Sequence, residues 1–187
     1  SDPIYMLAPI LTALYAIPSR RINPLYPSVV SLGQVSGGAT TNVIPNEVML
    51  RGTIRSLLPE VREQLWADVE NALRMSELMG GSYELDIIKG YPPMINSPEA
   101  NGWMRQVTKD LLGARAVVDA QFGMGAEDFA YMTQRARGAM FMLGAAIPEG
   151  PARHHHTSTF DIDERVLAPG AAVLAETVRR YVTGRLS

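Results

Sequence analysis

All three histidines of this 187-residue chain are consecutive, at His154, His155 and His156, shortly before the acidic start of a helix. Neutral imidazole is the commonest protein ligand for zinc-type metals, so one of these rings could hold a metal ion. A solvated loop or the relic of a purification tag is the alternative, and the internal position and shortness of the run weaken both. A catalytic zinc needs roughly three protein ligands and an open position, which this run alone does not supply.

A pair of residues in the first half of the chain, Asn42 and Arg55, could bind a carboxylate. Asn42 lies in a long loop and Arg55 stands thirteen residues later, near the end of the following strand. A guanidinium offers a two-pronged set of donors to a carboxylate, and an amide can donate to a carbonyl or oxyanion. The structural alternative, in which Asn42 satisfies turn backbone and Arg55 is merely solvated, is favoured without further information. For Glu127, an acid at a helix start, a structural interaction with the helix dipole is also the favoured reading.

The composition narrows the class of protein. Seventeen basic and nineteen acidic residues give a formal charge of -2, without the basic stripe that a nucleic-acid partner requires. No apolar run approaches the roughly 20 residues of a membrane span. The chain has no cysteine, which excludes disulfides and thiolate metal sites and predicts a cytoplasmic location.

The first half of the chain has the pattern of a small α/β domain. Apolar spacing and turn residues predict, in order, a helix capped by Asp2 and ended by Pro18, strands over 28–36 and 47–56, a helix from Pro59 to Gly80-Gly81, and a strand over 83–88. This order is a ferredoxin-like unit whose first strand is absent. Because that strand would lie in the middle of the sheet, two interior edges should be left unpaired.

A turn-rich crossing predicts a domain boundary near residue 95, so the predicted domains are 1–95 and 96–187. The second domain alternates helix and strand, which indicates a mixed or parallel sheet. Its predicted elements are a helix from Pro98 capped by Ser97 and ended by Gly113, a strand over 116–122, a helix over 127–137, a strand over 139–145, and a last helix opened by Asp163-Glu164. The predicted packed side of that last helix consists of Val166, Leu167, Gly170, Ala171, Leu174, Val178 and Tyr181.

Five segments, in order along nearly the whole chain, resemble the metal-dependent amidohydrolases of the aminoacylase, hippurate hydrolase and carboxypeptidase family. They are Asp2-Pro3-Ile4, Gly37-Gly38 with Asn42-Val43-Ile44-Pro45, Gly52-Thr53-Ile54-Arg55, Gly125-Ala126-Glu127-Asp128-Phe129, and His156 through Glu164 followed by Gly170-Ala171-Ala172. The resemblance is to the C-terminal half of such an enzyme. It implies an α/β fold: a ferredoxin-like lid without its first strand over 1–95, then the C-terminal part of a zinc-exopeptidase-like catalytic domain.

The resemblance also implies roles for particular residues. The family's C-terminal histidine ligand lies four residues before an aromatic, which corresponds to His156 and Phe160. Its lid asparagine and arginine, which reach substrate in the partner subunit's active site, correspond to Asn42 and Arg55. Glu127 corresponds to a position close to the site. The remaining metal ligands and the glutamate that acts as general base would precede Ser1, so no catalytic residue is expected within this chain.

The function implied is hydrolysis of the amide bond of N-acyl amino acids or small peptides by a metal-bound hydroxide. Two divalent metals are expected, zinc before manganese or cobalt. A homodimer through the lid and a missing N-terminal half of the catalytic domain are the expected partners, and the strand over 28–36 is the expected seam. The alternative is a non-catalytic dimerisation or interaction fragment that is inactive in isolation.

Overall fold

The computed structural model describes residues 1–120 and 123–186. They form two compact units: unit 1 contains residues 1–94 together with 123–128, and unit 2 contains the other described residues. The helices and strands are α1 (Pro3–Arg20), β1 (Ser28–Ser36), β2 (Met49–Ser56), α2 (Pro59–Leu73), α3 (Met75–Leu78), α4 (Pro98–Leu112), α5 (Phe129–Thr133) and α6 (Leu167–Val182). Within this described part, no helix combines the length and apolarity that crossing a bilayer would require.

Helix α1 begins where the sequence predicts. One carboxylate oxygen of Asp2 accepts hydrogen bonds from the main-chain N–H groups of Ile4 and Tyr5, at 2.9 and 3.2 Å, and so satisfies donors that the first turn leaves free. The predicted end at Pro18 is wrong, because the helix continues to Arg20. A proline removes only its own donor, and the main-chain N–H of Arg21 still reaches Ile17 O at 2.9 Å.

Unit 1 has one apolar core, made where α1 and α2 face the sheet. Met6, Ile10, Leu14 and Ile17 follow helical spacing and are all buried, and Leu65 of α2 is 0% exposed. At the edge of this core the carboxylate of buried Asp68 accepts a hydrogen bond of 3.1 Å from Arg21 Nε, and Gln64 donates to the carbonyl of Arg21 at 2.8 Å. Helix α2 therefore satisfies the end of α1.

The strands β1 and β2 pair antiparallel, from Ser28 opposite Ser56 to Ser36 opposite Met49. The register is irregular between Leu32 and Gln34, as expected for one extra residue in one strand of the pair. Gly52 has a steric reason, since a Cβ there would lie 2.3 Å from the carbonyl of Ser31. Leu50 and Ile54 pack against the core, and residues 51, 53 and 55 lie on the other face.

The predicted strand over 83–88 does not form, and among the described residues the sheet has two strands. The segment instead runs antiparallel beside α2: Tyr83 donates to the Glu70 carboxylate at 3.1 Å, and Arg62 donates to the carbonyl of Gly90 at 2.8 Å. A strand needs a neighbour to complete its hydrogen bonds, and no described strand lies beside this segment. Of the two unpaired interior edges that were expected, one corresponds to the outer edge of β2, which has no partner strand among the described residues, and the other is absent because 83–88 forms no strand.

In unit 2, α4 packs against α6. Val107 of α4 is 0% exposed and Val173 of α6 is 2% exposed, and the rings of Trp103 and Tyr181 have centroids 5.1 Å apart. The start of α4 at Pro98 and its end before Gly113 are confirmed. The residue at the N-cap is Ser97, as predicted, although its side chain makes no capping hydrogen bond.

An ion network joins the same two helices. Arg180 donates from Nε to Glu176 at 2.8 Å and from Nη1 to Asp110 at 2.5 Å. Hydrogen bonds from Arg179 and then Arg180 lower the pKa of Glu176 from 4.5 to about 2. The hydrogen bond from Arg180 likewise lowers the pKa of the Asp110 carboxyl. The carboxylates on both helices are therefore held in their charged forms.

Three other sequence predictions for unit 2 are wrong. The helix over 127–137 is reduced to the five residues of α5. No strand forms over 139–145 or in the described part of 116–122; residues 121 and 122 lie outside the described residues. The side chain of Asn96, and not a neighbouring strand, satisfies the main-chain groups of Met140. Its Nδ2 donates to the carbonyl of Met140 and its Oδ1 accepts from the N–H of Met140, both at 2.9 Å.

The predicted packed side of α6 is wrong at most of its positions. Leu167, Leu174, Val178 and Tyr181 are 54%, 48%, 61% and 53% exposed. Gly170 is buried as predicted, and the other buried residues of the helix, Val173 and Thr177, were not predicted. Of the described elements, α4 is the principal partner of α6 and covers this second face. The chain is a mixed α/β protein. In unit 1 the order helix, strand, strand, helix matches the ferredoxin-like unit without its first strand, and the last strand of that unit does not form among the described residues.

Candidate functional site

The histidine run lies on an exposed loop of unit 2. Arg153 and Asp161 form an ion pair across this loop, and Thr157 donates its hydroxyl to the carbonyl of His154 at 2.8 Å. His156 has a φ of 62° and is the single non-glycine residue with positive φ in the described part of the chain. A side chain in this left-handed region is strained by about 1 to 3 kcal/mol, and such strain clusters at functional sites.

The three imidazoles have different surroundings. The ring of His155 meets the ring of Phe160 edge to face, with centroids 5.1 Å apart and planes at 87°. The ring of His156 lies 6.4 Å from that of His155. His155 thus contacts both Phe160 and His156, while all three imidazoles are exposed.

The described residues fit one position of a metal site and do not fit a complete one. No group of three His, Cys, Asp or Glu side chains converges within the described ranges. A catalytic zinc needs about three protein ligands. An exposed imidazole such as that of His156 could therefore contribute to such a site only together with metal ligands from outside the described residues.

Arg55 extends from the face of β2 that points away from the core. Its Nη1 donates to the main-chain carbonyl of Met124 at 2.5 Å, and it forms no ion pair with a carboxylate of the described residues. Arg51 lies on the same face four residues earlier and is also exposed, but its side chain makes no hydrogen bond or ion pair among the described residues. The predicted position of Arg55 as an exposed cation near the end of the strand is thus found.

Asn42 lies in the connection between β1 and β2 and is exposed. Within the described part of the chain its side chain makes no hydrogen bond, so the alternative in which Asn42 satisfies turn backbone has no supporting contact. No contact joins Asn42 and Arg55 there either.

Glu127 belongs to the segment Gly123–Asp128, which clusters with unit 1 although the residues on both sides of it belong to unit 2. The short helix α5 starts only at Phe129 and has no acidic residue in its first turn, so Glu127 is not part of that turn. Its side chain is exposed. The structure therefore brings Glu127 into the unit that contains Arg55 and Asn42.

The contact that sequence reasoning missed is the carbonyl of Met124. A main-chain acceptor has no signature in residue type, because every residue carries one. The only available signal was the position of two glycines around Met124, at Gly123 and Gly125, which marks a turn without naming its partner.

Residues 9–180 match the model of Peptidase family M20/M25/M40. The chain is 35% identical over 183 residues to YhaA of Bacillus subtilis, described as an amidohydrolase. The alignment covers 96% of this chain and 46% of that protein. It is 33% identical to thermostable carboxypeptidase 1 of Saccharolobus solfataricus, with coverage of 91% and 43%, and 30% identical to N-acetyl-L-cysteine deacetylase of Bacillus subtilis, with coverage of 97% and 42%. The chain thus spans about half the length of the curated relatives it matches.

Solved structures agree on the fold. A protein of methicillin-resistant Staphylococcus aureus, described as an aminohydrolase, superposes with a TM-score of 0.82 at 27% identity, over 100% of this chain and 47% of that one. YXEP of Bacillus subtilis, a dinuclear metal-binding peptidase, superposes with a TM-score of 0.71 at 24% identity, over 94% and 45%. With a family match over most of its length, this chain belongs to Peptidase family M20/M25/M40.

Proposed function

We propose that this chain is the C-terminal half of a metal-dependent amidohydrolase that hydrolyses the amide bond of N-acyl amino acids or small peptides. The family match supports hydrolysis, and the activities for which two relatives are named, a carboxypeptidase and an N-acetyl-L-cysteine deacetylase, share one feature. Each cleaves an amide bond next to an amino acid. Residues 1–95 would form a lid and dimerisation domain, and residues 96–187 would belong to the catalytic domain.

The observation that carries this proposal is the state of Arg55. Its guanidinium is exposed, its single hydrogen bond within the described structure goes to a neutral carbonyl, and it has no carboxylate partner there. An uncompensated guanidinium with free donors is suited to a substrate carboxylate. Asn42, whose side-chain amide has no hydrogen bond among the described residues, would donate to the substrate carbonyl, and Arg55 and Asn42 would both reach the active site of the partner subunit. Glu127 would lie close to the substrate site.

The metal site would be shared with residues outside this chain. His156 would hold one of two divalent metals, zinc in the first place, with manganese or cobalt as alternatives. When bound, such ions polarise the scissile carbonyl and activate water at neutral pH. The other ligands and the general base would come from the missing N-terminal half of the catalytic domain.

A homodimer is the proposed assembly. Strand β1 pairs with β2 along one edge, and its other edge has no partner among the described residues, which leaves a row of main-chain groups for a second copy. Replacing Val35 by proline, which has no main-chain N–H and fits poorly within a strand, should disturb β1 and weaken the dimer in sedimentation analysis; an unchanged dimer would exclude this seam. A cytoplasmic location stays a prediction that rests on the absence of cysteine.

The direct test uses Arg55→Ala in the intact enzyme, with Arg51→Ala as the matched control from the same strand face. Hydrogen bonds to a charged group contribute about 1.5 to 3 kcal/mol, so kcat/KM for a substrate with a free α-carboxylate should fall by about 10- to 100-fold. The same substrate with its carboxylate converted to an amide should lose little. Normal metal content and an unchanged Arg51→Ala enzyme complete the expected result, and unchanged Arg55→Ala kinetics would remove Arg55 from the site.

The second candidate function is a non-catalytic dimerisation or interaction fragment. It is favoured by one observation, the absence of three converging ligand-type side chains in the described ranges. Turnover by the isolated 187-residue chain with added zinc would exclude it. Turnover only when the N-terminal half is supplied would support the partial-enzyme proposal.

A further inference from the structure

We propose that Asn101 is a site of spontaneous deamidation, at which the main-chain nitrogen of Gly102 attacks the side-chain amide when the first turn of α4 opens. Cγ of Asn101 forms a bond to that nitrogen and ammonia leaves, which gives a cyclic imide. Water then opens the imide to aspartate or isoaspartate, so one water molecule is consumed and one ammonia released. This modification is independent of the proposed hydrolytic activity.

The sequence makes Asn101 the most reactive asparagine of the chain. It forms the one Asn-Gly pair of the sequence. Glycine has no Cβ, so its nitrogen can approach the preceding side chain without obstruction, and its backbone reaches the required conformations at little cost. The other asparagines are followed by proline, valine, glutamate, alanine and serine, at Asn23, Asn42, Asn46, Asn71 and Asn96 respectively.

Packing holds neither of the two reacting residues. The side chain of Asn101 is half-buried and makes no hydrogen bond with any other described residue, so no partner has to be displaced before Cγ is attacked. Gly102 is exposed, and a Cβ built at that position would meet no atom within 4 Å. A glycine within a helix also weakens it relative to alanine. The helical backbone is therefore the main restraint on the reaction.

The position in α4 determines how strong that restraint is. In a helix the N–H of Gly102 points to the carbonyl of Pro98 and away from the side chain of Asn101. Both residues lie near the start of the helix, and helix ends open more readily than helix centres. Ser97 at the N-cap makes no side-chain capping hydrogen bond, so the first turn lacks one usual source of stability. Opening of this turn exposes the pair to reaction.

Asn96 provides a comparison five residues earlier in the chain. Its Nδ2 and Oδ1 are both hydrogen bonded to the main chain of Met140, at 2.9 Å each. The nitrogen that would attack it belongs to Ser97, and that N–H donates to the carbonyl of Gly138 at 2.9 Å. Both reacting groups of Asn96 are occupied, so it should be protected in the folded enzyme although it lies outside the helix.

The intact enzyme is incubated in mildly alkaline buffer, folded and in urea, and both asparagines are followed by mass spectrometry. They lie in one tryptic peptide, residues 90–105, because cleavage occurs after Lys89 and Arg105. In the folded enzyme Asn101 should convert to aspartate and isoaspartate while Asn96 stays intact. Conversion of Asn101 should be about tenfold faster in urea, where the helix no longer protects it.

Two variants separate the chemical step from the opening step. Gly102→Ala places a Cβ beside the attacking nitrogen and should slow conversion of Asn101 by about tenfold or more, both folded and in urea. Ser97→Asp adds a negatively charged cap at the helix start and should slow conversion about threefold, in the folded enzyme only.

The two products should affect α4 differently. Aspartate keeps the normal backbone and adds a charge that is favourable near a helix N-terminus. Isoaspartate inserts an extra carbon into the main chain, which breaks the repeat of helical hydrogen bonds. Amide exchange over residues 99–103 should therefore increase in the isoaspartate form, separated by chromatography, and not in the Asn101→Asp variant.

Four results would overturn the proposal. The first is an Asn101 that stays intact in the folded enzyme, and the second is an Asn96 that converts as fast as Asn101 there. The third is conversion at equal rates in the folded enzyme and in urea. The fourth is a Ser97→Asp enzyme with the unmodified rate, which would show that opening of the first turn does not control the reaction.

Discussion

The left-handed backbone at His156 allows strain and metal binding to be measured separately. The change is a pair of substitutions, His156→Ala and His156→Gly, which both remove the imidazole from an exposed position. They differ only in the Cβ atom. Because the imidazole is exposed, its removal leaves no cavity, and the difference in stability between the two variants should come from the backbone.

The magnitude follows from the φ of 62°. A residue with a Cβ in the left-handed region is destabilised by about 1–2 kcal/mol. Glycine avoids that strain but gains freedom in the unfolded chain, which offsets about 0.5–1 kcal/mol. The free energy of unfolding of the His156→Gly variant should therefore exceed that of His156→Ala by about 0.5–1 kcal/mol, from the difference of those two terms.

The assay has two parts. Urea unfolding in the presence of a chelator measures the difference without any contribution from bound metal. Elemental analysis of the intact enzyme then measures metal content, which should fall in both variants and remain normal in His154→Ala. Equal stability of the glycine and alanine variants would refute the strain argument. Full metal content in His156→Ala, or loss in His154→Ala, would refute the ligand assignment.

Three further predictions concern the framework of the two units. Leu65→Ala should lower the free energy of unfolding by about 3 kcal/mol, since a side chain at 0% exposure is truncated, as measured in urea. The pKa of Glu176 is lowered from 4.5 to about 2 by Arg179 and Arg180. The stabilisation from its charge is therefore fully present above the pKa of the unfolded state and is lost as the pH falls through the pKa of the folded state. Glu176→Gln should lower the free energy of unfolding at neutral pH and flatten its pH dependence between those two pKa values. Asn96→Ala should destabilise by about 1–3 kcal/mol, because it leaves a main-chain donor and acceptor of a half-buried segment unpaired, and Asn96→Asp should not restore the lost donor.

Helix positions could be read from the sequence because their signals are local. Asp2 and Pro3 mark a helix start through the backbone donors of the next few residues, and Gly113 marks an end through its own φ of 87°. Neither requires knowledge of a distant partner. The predicted end at Pro18 failed because a proline was treated as a stop when the neighbouring residues could still close the turn.

Strands were predicted less well for a physical reason. Alternation over 83–88 indicates which side chains share a face, but a strand exists only if another strand accepts its hydrogen bonds. The segment found its polar partners on α2, through Tyr83 and the carbonyl of Gly90. Asn96 similarly replaced a strand neighbour at Met140 with a side-chain amide. A pattern of apolar residues does not show either of these side-chain hydrogen bonds.

For the candidate site too, the sequence indicated residues by their type but not the contacts made by the main chain. Residue type and spacing indicated only the histidine run and the pair Asn42 and Arg55 as candidates. The family resemblance selected His156 and gave Arg55 its role, and both roles remain predictions. The acceptor of Arg55 could not be predicted, since Met124 contributes its carbonyl and not its side chain. The left-handed conformation of His156 was also beyond the sequence, because positive φ is uncommon at any non-glycine residue and residue type alone does not mark where it occurs.

The face of α6 shows how a strong pattern can still give the wrong orientation. Its apolar residues extend over more than half the helix circumference, with charged residues restricted to a narrow side that includes Glu176 and Arg179. Periodicity then identifies a helix without selecting one packed side. Selection came from α4, whose fully buried Val107 and whose Asp110 meet the side of α6 bearing Val173 and Arg180. Orientation in this unit was thus decided by an ion pair and a small apolar contact, both of which are properties of two helices together.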